Sequence, residues 1–260
     1  MPLPQEVAET SGLARSGRDA DLFWTHNDRG NDPVLFAIDS RGEIVQRVRV
    51  TGVEMTDWED LESAPCGEET CLYVADIGDN DSDRDGISVL RIVEPAAEAT
   101  EVTPAEILRA RFPDGARDAE ALFTDGAGLL HVINKGDAED IAIYRWPAPG
   151  QDGGTVTLER LRVLFPEPGN GDDRVTAATA MPGSSWMVAR TYRSLYFYPL
   201  AALLGGEAVE PTVVDLSMLS EAQGESVVLS DGGDVWVSSE AERRGQRPVW
   251  SQLRCTLPTP

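Results

Sequence analysis

Three glutamates and two hydroxyl side chains occupy the same place in a short motif that recurs along the chain. The motif has Glu, Ser or Thr at its third position and a small or aliphatic residue at its fifth, and most copies begin with an acidic or amide residue. The third positions are Ser11, Glu59, Glu120, Thr176 and Glu225. Their oxygens suit a hard cation such as Ca²⁺, which takes about six to eight oxygen ligands, some of them from water. If the copies converge in space, the motif predicts a calcium site.

The spacing of the motif indicates how its copies converge. Successive copies are about 50 to 60 residues apart, the length of a propeller blade of four strands. Each copy precedes apolar segments rich in β-branched and aromatic residues, such as residues 72–75 and 88–92, which favour buried strands. We therefore predict an all-β, five-bladed β-propeller of four-stranded antiparallel blades, a single domain over residues 1–260. A six-bladed propeller and a β-sandwich are the alternatives, and five matched strand triplets argue against the sandwich.

The fifth repeat ends too early to supply a fourth strand of its own. The segment before Ser11, around residues 3–7, is expected to complete that blade. This arrangement would close the ring and remove an open sheet edge, which otherwise invites aggregation.

In a propeller, the innermost strand of each blade lines the central channel. The five third-position side chains should therefore face the axis at one height. Three carboxylates in a narrow, empty channel would repel one another, and a bound cation would relieve that repulsion. The alternative is that these side chains merely line a channel filled with water.

Polar loops follow the second strand of each repeat and are expected at the mouth of the channel. They contain His26 and Asp76, which we take as candidates for acid–base catalysis. Lys135 is the only lysine in the chain, and with Arg190 it could hold an anionic group of a ligand. The candidate ligand-binding side chains are Asn27, Asp28, Asp79, Asn80, Lys135, Arg190, Tyr192 and Glu240.

Composition narrows the classes of partner. The formal net charge of −23 argues against nucleic acid, because phosphate contacts need a basic surface. No apolar run is long enough to span a membrane. Cys66 and Cys71 flank a short turn and are expected to form a disulfide, which would place the protein in a secreted or periplasmic setting. The first residues do not form a signal peptide, so a secreted protein would have lost its signal. We expect a monomer, with Cys255 left without an obvious partner.

The order Ser, Glu, Glu, hydroxyl, Glu in the five motif positions resembles the calcium-activated nucleotidases (apyrases). That resemblance implies a five-bladed propeller with one central Ca²⁺ held by a ring of Ser and Glu. This chain has Thr176 where the family has Ser, and its loops differ, so nucleotide specificity does not carry over. Looser similarity links it to esterase-like phytases and lactonase propellers, which also hold calcium in the channel.

Longer strings resemble a group of bacterial exported propeller proteins of uncharacterised activity. They are residues 24–28 (WTHND), 57–60 (DWED), 76–80 (DIGDN) and 190–192 (RTY). The first functional hypothesis is a Ca²⁺-dependent hydrolase of a small phosphorylated or ester substrate, in which a cation polarises the substrate and a bound water. The second is a non-catalytic module that binds a small ligand or a protein and uses Ca²⁺ structurally. The fold does not separate them, since propellers host both.

Overall fold

The computed structural model describes residues 1–136, 139–148, 154–165, 171–180, 185–230, 233–241 and 247–255. These residues form short strands joined by turns, as the predicted repeats require. One short α-helix, α1 (Leu200–Leu204), follows the third strand of the fourth repeat. Among the described residues, no helix is long and apolar enough to cross a membrane.

The strands follow the predicted order in each repeat. Their bounds are β1 Thr10–Arg15, β2 Leu22–Asn27, β3 Val34–Asp39, β4 Ile44–Val50, β5 Trp58–Cys66, β6 Glu69–Asp76, β7 Ile87–Val93, β8 Glu101–Val102, β9 Glu106–Arg111, β10 Ala119–Thr124, β11 Leu130–Asn134, β12 Ile141–Arg145, β13 Val156–Thr157, β14 Glu159–Phe165, β15 Val175–Thr179, β16 Trp186–Thr191, β17 Ser194–Pro199, β18 Thr212–Asp215, β19 Gln223–Leu229, β20 Asp234–Glu240 and β21 Val249–Arg254. Short 3₁₀ turns cover Gln5–Val7, Gly171–Asp173 and Ser217–Leu219.

Five separate sheets confirm the five-bladed β-propeller, and the six-bladed alternative is wrong. The blades are β1-β2-β3-β4, β5-β6-β7-β9, β10-β11-β12-β14, β15-β16-β17-β18 and β19-β20-β21, each paired antiparallel from the first strand outward. Two of them gain a short parallel strand at the outer edge. β8 pairs with β4, and β13 pairs with β9. These additions cover edges that would otherwise expose unpaired backbone groups.

The N-terminus lies beside the outer strand of the fifth blade. Pro2 forms an antiparallel bridge with Val249, and the Leu3 N–H donates to the Pro248 carbonyl at 2.8 Å. The paired segment is residues 1–3, which overlaps the predicted segment only at Leu3, because Gln5–Val7 is a 3₁₀ turn. Proline lacks an N–H group, so the alternating prolines at the start of the chain limit how far a ladder can extend.

In the described part of the chain, a cluster of buried apolar side chains lies between each blade and the next. Between the first and fifth blades, Leu3, Phe23 and Trp250 belong to one such cluster. The rings of Phe23 and Trp250 meet edge to face, with centroids 5.1 Å apart. This packing around the whole circle fixes the innermost strands relative to one another. The predicted disulfide between Cys66 and Cys71 is confirmed and joins β5 to β6.

Candidate functional site

Each innermost strand carries one extra residue, and the extra residue occurs at the motif. In β5, Trp58 pairs with Asp76 and Asp60 pairs with Ala75, which leaves Glu59 without a partner on β6. The same irregularity isolates the third motif residue in β10, β15 and β19, and in β1 it spans Ser11 and Gly12. A β-bulge of this kind re-aims a side chain out of the regular alternation. The propeller therefore repeats the same β-bulge, at the same motif position, in each of its blades.

Four of the five predicted motif residues line one cavity of about 330 Å³ at the start of the innermost strands. We call it the axial cavity. Its lining residues are Ser11, Asp28, Arg29, Asp57, Glu59, Asn80, Glu120, Lys135, Tyr192, Gln223, Glu225 and Glu240. Six of these are carboxylic acids and two are cationic. The cavity is thus strongly acidic, which fits a ligand or ion that brings positive charge.

Burial and mutual repulsion raise the pKa values of the three motif glutamates. Burial and the neighbouring Glu120 raise the pKa of Glu59 well above its usual range, and burial raises that of Glu120 to about 7. The carboxyl groups of Glu59 and Glu120 are hydrogen-bonded to one another. Burial and Glu240 also raise the pKa of Glu225, whose carboxyl accepts a hydrogen bond from Gln223. Burial in the cavity therefore favours the protonated form of these acids, and a cation bound among them would favour the charged form.

Lys135 supplies a positive charge inside the axial cavity. Its ammonium group forms an ion pair with Glu120 and lies 3.4 Å from an Asp118 oxygen. Burial alone would lower the pKa of Lys135, but the charges of Glu120 and Asp118 outweigh it and raise the pKa. The lysine is consequently charged, and any external cation would compete with it for Glu120.

The rim of the axial cavity holds two acids that titrate near neutrality. Burial and the charge of Glu9 raise the pKa of Asp28 to about 7. Burial and the charge of Asp28 raise the pKa of Glu240 to about 8. Groups with such pKa values can both give and take protons at neutral pH, as general acid–base catalysis requires.

A loop glycine makes room for the acidic side chains beside the rim. A Cβ atom at Gly78 would lie 2.2 Å from a Glu59 oxygen and 2.6 Å from the Asp57 carboxyl carbon. The Asn80 side-chain amide donates to Asp57 at 3.4 Å, and the Arg29 guanidinium lies 4.0 Å from the same carboxylate. The string DIGDN thus supplies both the space and one of the polar groups of the cavity.

The two predicted acid–base residues, His26 and Asp76, are not among the lining residues of the axial cavity. His26 is fully buried, and its ring packs edge to face on Trp58 with centroids 5.4 Å apart. Burial lowers its pKa to about 4, so it stays neutral at physiological pH. The Asp76 carboxylate accepts hydrogen bonds from the Thr56 and Asp57 N–H groups and pairs with Arg84 at 2.8 Å. His26 therefore packs between the first and second blades, and Asp76 orders loops of the second blade.

Three predicted ligand-binding residues also serve the scaffold. The Asn27 side chain donates to the Glu6 carbonyl and accepts a hydrogen bond from the Glu9 N–H group. The Asp79 carboxylate accepts the N–H groups of residues 83 and 84, both at 3.0 Å, and orders the turn that follows. Arg190 is fully buried, donates to the carbonyls of residues 226 and 238, and pairs with Glu221. Side chains held by such internal bonds are poorly placed to bind a ligand.

Thr176 occupies a bulge but is not among the lining residues of the axial cavity. It is fully buried, and its hydroxyl donates to the Gly224 carbonyl at 2.9 Å. The bond links the innermost strands of the fourth and fifth blades. Thr176, in the fourth copy of the motif, differs in that respect from the three glutamates and Ser11.

Three cavity residues were not singled out from the sequence, namely Arg29, Asp57 and Gln223. Asp57 and Gln223 are the first residues of two motif copies, each two positions before a glutamate of the ring. Because side chains alternate along a strand, a regular strand puts residues two apart on one face. That spacing was the available signal for both. Arg29 follows directly after Asp28, and only its place in the polar loop pointed to it.

No protein-family model matches the chain, and no curated protein matches it significantly. Several solved structures are similar in fold. The major allergen Mala s 1 of Malassezia sympodialis has a TM-score of 0.60 at 10% identity, over 95% of this chain and 93% of that one. A protein of unknown function from Bacteroides caccae has a TM-score of 0.50 at 9% identity, over 94% and 77%. A gluconolactonase from Xanthomonas campestris has 0.48 at 13%, over 94% and 72%. At these identities the similarity concerns the fold alone.

Proposed function

We propose that the axial cavity binds a hard divalent cation, Ca²⁺, and that the protein is an exported Ca²⁺-dependent hydrolase of a small phosphorylated or ester substrate. The observation that carries the proposal is the repeated bulge, which directs Ser11, Glu59, Glu120 and Glu225 into one strongly acidic cavity. The disulfide supports an oxidising compartment and hence export.

The donor set fits calcium in kind, because carboxylate and hydroxyl oxygens are its usual ligands. Within the described residues, no three His, Cys, Asp or Glu side chains already converge as a metal site. Cation binding therefore requires the glutamates to move together, to lose the protons they share, and to release the Lys135 ammonium from Glu120. This exchange makes calcium affinity depend on both pH and Lys135.

Side chains at the rim define what the chain itself contributes to hydrolysis. Bound calcium would act as a Lewis acid toward an oxygen of the substrate. Arg29, whose side chain is half exposed, and the Tyr192 hydroxyl are placed to bind an anionic group. Asp28 and Glu240, with pKa values raised to about 7 and 8 by burial and by neighbouring acids, are the groups able to move a proton.

The test is thermal unfolding with EDTA and then with excess Ca²⁺, for the wild type and Glu120→Gln. A ligand that binds only the folded state stabilises it by about 2.7 kcal/mol at a hundredfold excess over its Kd. We expect a calcium-dependent rise of the midpoint that Glu120→Gln abolishes and that Glu43→Gln, in an exposed turn, retains. An unchanged wild-type midpoint would reject the cation site. Where the rise is found, phosphate esters, carboxylate esters and lactones are assayed with and without calcium.

A second candidate function is a metal-free binding module. The observation that favours it is Lys135, whose ammonium already neutralises Glu120 within the axial cavity. In such a module, Lys135 and Arg29 would bind a small anionic ligand directly. This candidate predicts no calcium response and a midpoint that rises with inorganic phosphate, lost in Lys135→Met.

A further inference from the structure

A second pocket lies farther along the innermost strands, away from the axial cavity. Glu62 and Val228 follow Glu59 and Glu225 by three residues on their strands, which at the rise of a strand is about 10 Å. Both line a pocket of about 350 Å³, together with Thr179 and residues 15–20. We call it the distal pocket. Asp60 lies between the two, with its oxygens bonded to backbone N–H groups, so the two pockets are distinct sites.

Glu62 is a buried acid that lacks a charged partner. Its side chain is 4% exposed and one oxygen accepts the Ser63 N–H at 3.2 Å, while the other has no donor in hydrogen-bond geometry among the described residues, although the Thr179 hydroxyl and the Ala180 N–H lie near enough to act on the carboxyl and lower its pKa. Within the described part of the chain, no arginine or lysine forms an ion pair with it. Burial raises its pKa well above the usual range, and the charge of Asp60 adds to this. A carboxyl group in such a place binds either a proton or a cation brought from outside.

The wall of the distal pocket is held in place by Glu94. This carboxylate accepts hydrogen bonds from the Ser16 hydroxyl, the Gly17 N–H at 3.0 Å and the Trp24 indole at 2.9 Å. Glu94 also lies 3.3 Å from the Arg18 guanidinium, and this ion pair neutralises the positive charge of Arg18 at the pocket. The other arginine of the wall, Arg15, donates to the Ala20 carbonyl at 3.3 Å. The wall is therefore ordered without a ligand, and neither of its arginines forms an ion pair with Glu62.

The remaining lining of the distal pocket is mixed in character. Ala64, Pro65 and Val228 supply apolar surface, and Thr70 and Thr179 supply hydroxyl groups. A bare metal ion would gain nothing from the apolar side. A primary ammonium group can pair with one carboxylate and still donate to hydroxyl oxygens, while its alkyl body covers apolar side chains.

We propose that the distal pocket binds a small primary alkylammonium ligand, with the ammonium on Glu62 and the alkyl part against Ala64, Pro65 and Val228. This site is separate from the axial cavity and does not depend on calcium. It would give the protein a second ligand of opposite charge to the anionic substrate proposed above.

Calorimetric titration of the whole protein with n-butylamine, in the presence of EDTA, tests this site. We expect saturable binding that 1-butanol, of the same shape but uncharged, does not reproduce. Glu62→Gln keeps the side-chain volume and should weaken the amine by about tenfold or more, because a charge-assisted hydrogen bond is lost. The matched control Glu240→Gln removes an acid from the axial cavity and should leave the amine affinity unchanged.

A second variant guards against loss of folding in Glu62→Gln. Ala20 is exposed at the pocket mouth, so Ala20→Trp blocks entry without removing a buried group and should abolish binding. Equal binding of butanol, full affinity in Glu62→Gln, or no binding of amine would each overturn the proposal. A larger loss in Glu240→Gln than in Glu62→Gln would place the amine in the axial cavity. Displacement of the amine by equimolar K⁺ would show a metal-ion site instead.

Discussion

Buried charged side chains near the propeller axis fall into two groups that differ in their hydrogen-bond partners. In the scaffold group, Asp60 accepts the N–H groups of Leu61, Leu122 and Ala178, and so ties three blades together. In the cavity group, Glu120 is bonded to other side chains, namely Lys135 and Glu59. The scaffold group is bonded to backbone atoms that cannot leave, whereas the partners of the cavity group can be exchanged for a ligand.

A shifted pKa does not separate the two groups. Burial raises the pKa of Asp60 to about 8, as high as that of Glu240 at the cavity rim. Arg190 is as deeply buried as any side chain in the molecule, yet it donates to carbonyls and to Glu221. Functional groups are therefore recognised here by their partners and by access to a cavity, with the pKa as secondary support.

The largest loss of unfolding free energy is expected when a side chain of the scaffold group is removed. Asp60→Ala leaves three buried N–H groups without an acceptor, and each such loss costs about 1 kcal/mol or more, so unfolding free energy should fall by about 3 kcal/mol. Urea denaturation measures this. Glu225→Ala is the matched control, because that carboxylate bonds only to the Gln223 side chain in the described structure, and its effect should stay within about 1 kcal/mol. Equal losses in both variants would erase the distinction between the groups.

The pH dependence of stability should come from the cavity rim. The folded-state pKa of Glu240 is raised to about 8 by burial and neighbouring acids, so its stabilising contribution is complete below its unfolded pKa and is lost as pH rises toward 8. Without calcium, the unfolding free energy should fall by about 2 kcal/mol between pH 5 and pH 8. Denaturation curves at several pH values measure it, and Glu240→Gln should flatten the slope. A slope that persists in this variant would assign the titration to other buried acids whose pKa values are raised, such as Asp28, Asp60 and Glu62.

The exchange of partners in the cavity group should appear in calcium affinity. Lys135→Met removes the ammonium that competes for Glu120, so calcium should bind about tenfold more tightly, equivalent to about 1.4 kcal/mol. Isothermal titration calorimetry measures the change. Arg84→Met is the control, since Arg84 pairs with Asp76 outside the axial cavity, and its affinity should match the wild type. Weaker calcium binding in Lys135→Met would mean that the lysine supports the site and does not compete.

The repeat was enough to predict the blades and four of the side chains that line the axial cavity. The reason is physical: one motif, repeated at blade spacing, carries the bulge at the same position each time, so Glu59, Glu120 and Glu225 line one cavity. The disulfide was equally local, because Cys66 and Cys71 flank one turn. That the cavity binds calcium remains a prediction.

The roles of His26, Asp76 and Arg190 could not be predicted in the same way. The sequence of a polar loop residue does not reveal whether its side chain faces a cavity or packs inside the protein. Which of the two occurs depends on contacts that the local sequence does not specify. Arg190, for example, fits against Gly224, where a Cβ atom would lie 2.0 Å from its guanidinium nitrogen. Only the packed ring of blades shows that the glycine of one repeat accommodates the arginine of another.

The smallest effect is expected at Thr176, a motif residue whose hydroxyl is bonded to the backbone like the side chains of the scaffold group. Its hydroxyl donates to the Gly224 carbonyl, so Thr176→Val should cost about 1 kcal/mol of unfolding free energy and leave calcium affinity unchanged. Ser11→Ala, by contrast, removes a hydroxyl that lines the axial cavity and should weaken calcium without a comparable loss of stability. Thr176→Ser keeps the hydroxyl and serves as the control. If Thr176→Val weakens calcium as much as Ser11→Ala does, the five motif positions form one complete ring, and Thr176 belongs with the glutamates.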